Sequence, residues 1–288
     1  MKPQVKYRIY PSLLDKYQKL VDADEVFEGF GNIDPETGAY KRTYEDIEAE
    51  LEQSLLDSIN RVEHEPSEAA DKGTCFNEVV DCLIECRPSS RDDVAIGRGN
   101  VVLRREKIPC NIPHQSIEQI VSQEVISASM DGFTFLFDIA LCEQAAKYFE
   151  GATPQHRCVA TLQTVYGTVE LYGYADEIVR DKVYDIKATS RYDFGKFERA
   201  WQKDVYPFCL VESGEEANIT SFEYTVYVWK GGTAKSPILT AEQYKEEYAY
   251  NHEAARIRLK NICERFIEWI EEYRELITDK KIFNELDE

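Results

Sequence analysis

Apolar and polar positions alternate along residues 156–165, 169–179 and 183–188, a period-two pattern that predicts three consecutive β-strands. Tyr166, Gly167 and Thr168 close a turn between the first two. On either side the period lengthens. From 43 to 62, Tyr44, Ile47, Leu51, Leu55, Ile59 and Val62 recur every three or four residues and describe one buried helix face, and Phe76, Val79, Val80, Leu83 and Ile84 do the same after Gly73. Residues 9–17 read as a short first helix with Ser12 as its cap. Residues 133–149 read as a helix leading into the sheet, 219–228 as a strand, and 241–279 as a long helix or kinked pair. After Lys187, the positions Phe194, Phe197, Trp201, Val205 and Phe208 predict another helix with an apolar stripe. Turn residues make 29–38 a loop, and Pro88, Gly97, Gly99, Pro109 and Pro113 make 87–123 a loop-rich insertion. The expected fold is an α/β chain in the order helix, three antiparallel-leading strands, helix, strand, with helical additions at both ends. As one domain over 1–288 it divides into an N-terminal helical region (1–72), a core (73–230) and a C-terminal helical region (231–288).

Side chains on a strand alternate faces, so Asp185 and Lys187 point one way while Tyr184, Ile186 and Ala188 point the other. Asp176 lies late on the preceding strand, where it faces Asp185 if the register suits. Two carboxylates and an ammonium on one wall suit a divalent metal. Taken alone, an Asp-x-Lys on a strand is more often a solvated ion pair. Its company raises it: Asn77, Glu78 and Asp81 share a face of the helix after Gly73 and offer a further carboxylate, while Gln202 and Tyr206 sit one turn apart beside the basic row Lys196, Arg199 and Lys203. That row suits a sugar–phosphate backbone.

The spacings Gly173-x-x-Asp176, Asp185-x-Lys187 and Gln202-x-x-x-Tyr206 resemble the PD-(D/E)XK nuclease superfamily, in particular its RecB-like and phage exonuclease branch. The resemblance covers residues 9–228 and is specific from 173 to 206. Asn77 stands where that family usually has histidine, and Glu78 is the substitute expected to supply a ligand from the first helix. The resemblance implies Asp176, Asp185 and Lys187 as catalytic residues and Mg²⁺ or Mn²⁺ as cofactor. The metal is held by Asp176, Asp185, Glu78 and the main-chain carbonyl of Ile186, and Gln202, Tyr206, Lys196, Arg199 and Lys203 meet the substrate. It also implies DNA as the partner, with a recombination or replication protein beside it, and cleavage, expected to be exonucleolytic, to 5′-phosphate and 3′-hydroxyl ends.

Charge argues the other way. The 288 residues carry a formal charge of −20, whereas Lys and Arg contacts to phosphate supply most nonspecific affinity for DNA. Between 180 and 203, however, seven basic residues meet four acidic ones, and at physiological salt exposed charges are screened within about 8–10 Å. The eight cysteines form no C-x-x-C pair and only Cys209 and Cys263 follow Lys187, so neither a zinc site nor an iron–sulfur cluster is expected. No apolar run is long enough for a signal peptide or a membrane span, which predicts a soluble, cytoplasmic protein without a membrane partner. There is no phosphate-binding G-x-x-x-x-G-K-[ST] loop and no G-x-S-x-G elbow. The reading is a metal-dependent deoxyribonuclease of phage or mobile-element type. The alternative is a nuclease-fold nucleic-acid-binding or interaction protein with little catalysis.

Overall fold

The computed structural model of the chain describes residues 4–63, 65–109, 116–215 and 218–285, and only the backbone of Phe30, 106–109 and 116–119. Its centre is a nine-stranded mixed sheet. The strands are β1 (Val5–Ile9), β2 (Ala95–Pro109), β3 (Ser116–Met130), β4 (Phe133–Asp138), β5 (Thr153–Thr164), β6 (Gly167–Val179), β7 (Lys182–Thr189), β8 (Ser221–Lys230) and β9 (Ile238–Ala249). The helices are α1 (Pro11–Val21), α2 (Ala23–Glu28), α3 (Tyr44–Ile59), α4 (Glu68–Glu85), α5 (Ile139–Tyr148), α6 (Gln202–Ser213) and α7 (His252–Glu272). The sheet runs β1-β6-β7-β8-β9-β4-β3-β2, with β5 on the remaining edge of β6. β5, β6 and β7 are successively antiparallel, and β8, reached through α6, returns parallel to β7.

Two apolar layers sandwich this sheet. On one face α1, α3, α6 and α7 bury Leu14, Leu55, Phe208 and Phe266 against Val183, Phe222 and Tyr224. On the other, α4 and α5 bury Phe76, Val79 and Cys142 against Ile186, Tyr227 and Phe137. The alternation along β7 is visible here, with Val183 in one layer and Ile186 in the other. Local chemistry fixes several ends. Thr43 and Asp46 form a reciprocal capping box on α3, Pro11 opens α1, and Gly214 ends α6 at φ +78°.

Several expectations change. The insertion 87–123 is no loop: β2 and β3 pair antiparallel from Ala95↔Ser129 to Pro109↔Ser116, and β3 touches β4 only from Val125 to Met130, so much of the hairpin projects beyond the sheet. Residues 133–149 begin as β4 before turning into α5, and the expected C-terminal helix is preceded by β9, which lies antiparallel to β8. The helix after Lys187 starts only at Gln202. Residues 194–199 are turns, Gly195 stands at φ +85°, and Phe194 is 85% exposed instead of in the core. α4 begins at Glu68, so Gly73 lies inside it, where a Cβ would touch Ala188 of β7. Among the described residues no helix is long and apolar enough to cross a membrane.

Candidate active site

The site forms where the sheet parts. β6 and β7 pair only from Val179↔Lys182 to Glu177↔Tyr184. On the other edge of β6 the ladder to β5 skips Asp176, because Gln155 opposite it sits at φ +48° between the pairs Pro154↔Glu177 and His156↔Ala175. A positive φ is uncommon for a residue with a side chain and costs energy. The Asp176 side chain takes over from the ladder: Oδ2 accepts the Ile186 N–H at 2.7 Å, and Oδ1 accepts weakly from Gln155 Nε2 at 3.4 Å. Asp176 and the segment Asp185, Ile186 and Lys187 are thereby tied across the gap.

Asp185 is 3% exposed. Its Oδ2 lies 2.7 Å from Lys187 Nζ, and its Oδ1 accepts from Gln202 Nε2 at 2.7 Å. Gln202 Oε1 in turn accepts from Lys187 Nζ at 2.8 Å. Because a lysine only donates and a carboxylate only accepts, this triangle admits one orientation of the Gln202 amide. Phe197 and Tyr224 place their rings 5.9 and 5.6 Å from Nζ. Burial, and then Asp185, push the Asp176 carboxyl well up, opposed by Lys187 and the Ile186 N–H. Burial likewise raises Asp185 against the pull of Lys187. Burial acts to lower Lys187, but Asp185 and Asp176 outweigh it and the ammonium is held charged. If both carboxylates ionise beside the one ammonium, one negative charge is left over in a desolvated place; the raised Asp176 carboxyl answers it with a proton, which a bound cation would displace.

Tyr206 forms the back wall instead of a substrate contact. It is 6% exposed, one turn after Gln202, and its ring lies against Gly173, where a Cβ would stand 2.7 Å from Cε1. The glycine of Gly173-x-x-Asp176 therefore makes room for that ring.

Glu78 does not join the group. Its Oε1 accepts from Ser90 N at 2.7 Å, Arg87 Nη1 at 2.8 Å and Ser89 Oγ at 3.0 Å, so the carboxylate is spent holding the turn after α4. Burial would raise Glu78, yet these donors outweigh it and its carboxyl is held below the usual range. The first-helix carboxylate nearest the gap is Asp81, which lies against Glu177. Both are buried, and the two carboxyls face each other with a hydrogen bond between them, which requires one of the pair to carry its proton. Asn77, one turn before Asp81, has a buried Oδ1 that is unpartnered. Gly73, Asn77 and Asp81 form a stripe at four-residue spacing, and the closeness of Gly73 to Ala188 turns that stripe, not Glu78, toward the sheet.

The basic residues are not one helical row. Lys196 and Arg199 lie in the turns before α6 and line, with Lys187, Gln202 and Phe197, a cavity of about 570 Å³. Lys196 Nζ reaches Thr189 Oγ1 and the Arg191 carbonyl, each at 3.3 Å. Lys203 Nζ binds the Glu198 and Ala200 carbonyls and lines a second cavity. Asp15 belongs to no motif that singles it out in the chain. On α1 it accepts the Trp201 N–H at 2.7 Å, holding the start of α6, and it lines the cavity beside Lys187.

Among the described residues no group of three or more His, Cys, Asp or Glu side chains is placed to hold a metal ion. The hard oxygens of Asp176 and Asp185 nevertheless fit Mg²⁺ or Mn²⁺, since Mg²⁺ keeps several waters and takes one or two protein carboxylates beside a substrate phosphate. Cys209 and Cys263 are buried and free, and Cys110 lies outside the described residues.

No family model matches the chain, and no curated protein matches it. Among solved structures it is similar to one described as "Crystal structure of SSO0001", at 16% identity and a TM-score of 0.27, over 44% of this chain and 54% of that one.

Proposed function

We propose that the protein is a metal-dependent deoxyribonuclease of the PD-(D/E)XK type, acting on DNA ends and leaving 5′-phosphates. The observation that carries this reading is the convergence of Asp176, Asp185, Lys187 and Gln202 at the parting of β6 and β7. The order β5-β6-β7-α6-β8 supports it, being the expected three strands, helix and strand, with α4 and α5 on the opposite face. The surrounding sheet is larger than that pattern requires.

Asp176 and Asp185 would hold the divalent ion, with the Ile186 carbonyl as the further ligand the resemblance implies. When bound, the ion supplies Lewis-acid polarisation of the phosphoryl group and neutralises charge. Lys187, kept protonated by Asp185 and aimed by Gln202, orients the attacking water and offsets the charge that grows on the phosphate oxygens. Tyr206 and Asp15 fix α6, so that Gln202 stays in place.

The test is single-turnover cleavage of end-labelled linear and covalently closed DNA with Mg²⁺ or Mn²⁺, and EDTA as control, beside equilibrium binding. Lys187→Ala is expected to slow cleavage about 10²-fold or more, as loss of a transition-state contact does, while DNA binding changes little. A second reading, a binding module of the same fold, is favoured by Asn77 in the histidine position and by the commitment of Glu78 elsewhere. DNA binding by wild type with no cleavage under any divalent metal would establish that reading and end the first.

A further inference from the structure

We infer that the groove between α1–α2 and residues 196–203 is a path for a single nucleic-acid strand, closed at its middle by carboxylates that stand where phosphates would. This rests on the nuclease reading for its destination, Lys187. The 570 Å³ cavity at Lys187 adjoins a second of about 360 Å³ that extends to Lys203 and Arg258. The two share Gln18, Asp22, Glu25 and Arg199 as lining, and an ion pair stands between them: Arg199 Nη1 lies 2.5 Å from Glu25 Oε2 and 3.3 Å from Asp22 Oδ2, which also accepts from Gln18 Nε2 at 2.8 Å.

Charge identifies the occupant. Lys19, Lys187, Lys196, Arg199, Lys203 and Arg258 line the combined groove against the four acids Asp15, Asp22, Glu25 and Asp204, in a protein of net charge −20. Asp15 serves the fold on the Trp201 N–H, Asp204 and Arg258 pair with each other at 2.5 Å, and Lys187 is paired with Asp185, which leaves Lys19, Lys196, Arg199 and Lys203 to set the groove's charge. Asp22 and Glu25 instead meet the arginine at the groove's centre. Phe197 packs on Tyr192 and Tyr224 and carries Lys187 and Lys196 beside its ring, so it fixes two cations along the groove where a strand's phosphates would pass. Cavities of about 570 and 360 Å³ have the size to take one nucleotide of a single strand each, whereas a duplex would have to lie across their mouths. Opening costs little. The Arg199 and Glu25 side chains are 63% and 56% exposed, and an exposed ion pair weighs less than about fivefold in an equilibrium.

The experiment is fluorescence anisotropy with a labelled short oligothymidylate and a blunt duplex of similar length, in EDTA so that no chemistry intervenes. Wild type, Arg199→Ala and the double variant Asp22→Asn with Glu25→Gln are compared over a salt series, with unfolding curves confirming that each is folded. The single strand should bind more tightly than the duplex. The double variant should gain up to about fivefold for the single strand, the weight of the pair it no longer breaks. Arg199→Ala should bind more weakly, its salt slope reduced by about 0.7, the value for one phosphate contact on a single strand. Preference for the duplex, or unchanged single-strand binding in both folded variants, overturns the groove. If wild type binds single strands in this pattern yet cleaves nothing with Mg²⁺ or Mn²⁺, the groove stands and the nuclease reading falls. Metal-dependent cleavage with no effect of the groove variants means the reverse.

Discussion

Gly173→Ala is expected to damage the site from behind. The added methyl would lie 2.7 Å from Tyr206 Cε1 and 3.4 Å from its hydroxyl, with Pro11 Cδ at 3.5 Å on the other side. Carbon atoms rest at about 3.5–4.0 Å, so the ring must withdraw by roughly 0.8 Å or more, and Pro11 blocks escape of the methyl. Tyr206 has little space for this, being 6% exposed in the main core. Overpacking of that kind costs about 1–3 kcal/mol, which at about 2–4 °C per kcal/mol for a chain of this order lowers Tm by some 2–12 °C. The functional effect is the larger one. Gln202 precedes Tyr206 by one helical turn, so its bonds of 2.7 and 2.8 Å to Asp185 and Lys187 are dragged out of line, and a misplacement of about 1 Å can cost about 10²-fold in rate. The assay is thermal unfolding and single-turnover cleavage on Gly173→Ala, Tyr206→Leu and the double variant. Leucine removes the clashing ring atoms, so Gly173→Ala should cost far less in that background. Wild-type stability and cleavage in Gly173→Ala, or the same penalty when it is combined with Tyr206→Leu, would refute the reasoning.

Glu78→Gln should weaken the fold by about 1.5–3 kcal/mol through its lost charge-assisted bonds to Ser90 and Arg87, while Mn²⁺ affinity measured by calorimetry stays at the wild-type value; loss of metal binding in the folded variant would restore Glu78 as a ligand. Asp81→Asn should stabilise, and more so at alkaline pH. Burial raises the Asp81 carboxyl, so its ionisation penalty is absent below the unfolded carboxylate range and grows as pH rises through the folded value. Removing the buried ionisable acid is worth on the order of 1–3 kcal/mol at alkaline pH, and urea titrations at acid and alkaline pH showing no such gain would count against the assignment.

Much of this site could be read from the chain because strand alternation is local: two residues apart is enough to put Asp185 and Lys187 on one face. What escaped depended on contacts between distant segments. Three polar residues at Asn77, Glu78 and Asp81 leave a helix face ambiguous, and the approach of Gly73 to Ala188 with the contact of Asp81 on Glu177 shows that Asp81 turns toward the sheet. The β2–β3 hairpin read as loop because its projecting end gains ladder hydrogen bonds without burying a face, leaving Val102, Leu103 and Ile120 about half exposed. β9 read as helix because the apolar stripe behind that reading, Ile262, Phe266, Trp269, Tyr273 and Leu276, belongs to α7 and the turn after it, and nothing in 241–249 marks where it stops. Phe197 and Trp201 pack on the core from turns, so their spacing imitated a helix that starts only at Gln202.

The clasp between the two ends of the described chain sets the order in which this centre can be completed. Asn284 Nδ2 donates to the Val5 carbonyl at 2.9 Å, and Tyr7 donates to Glu271 at 2.6 Å, 264 residues away. β1 also waits for β6, its parallel partner. The wall formed by α1, with Asp15, follows directly from β1 and packs on α3 as well as α7, so its last support arrives with α7. During synthesis, the hairpin bearing Asp176 and Asp185 emerges long before that wall can close. Pairings of such long sequence separation slow folding, and until α7 has left the ribosome the nascent chain carries these two carboxylates in an unfinished centre.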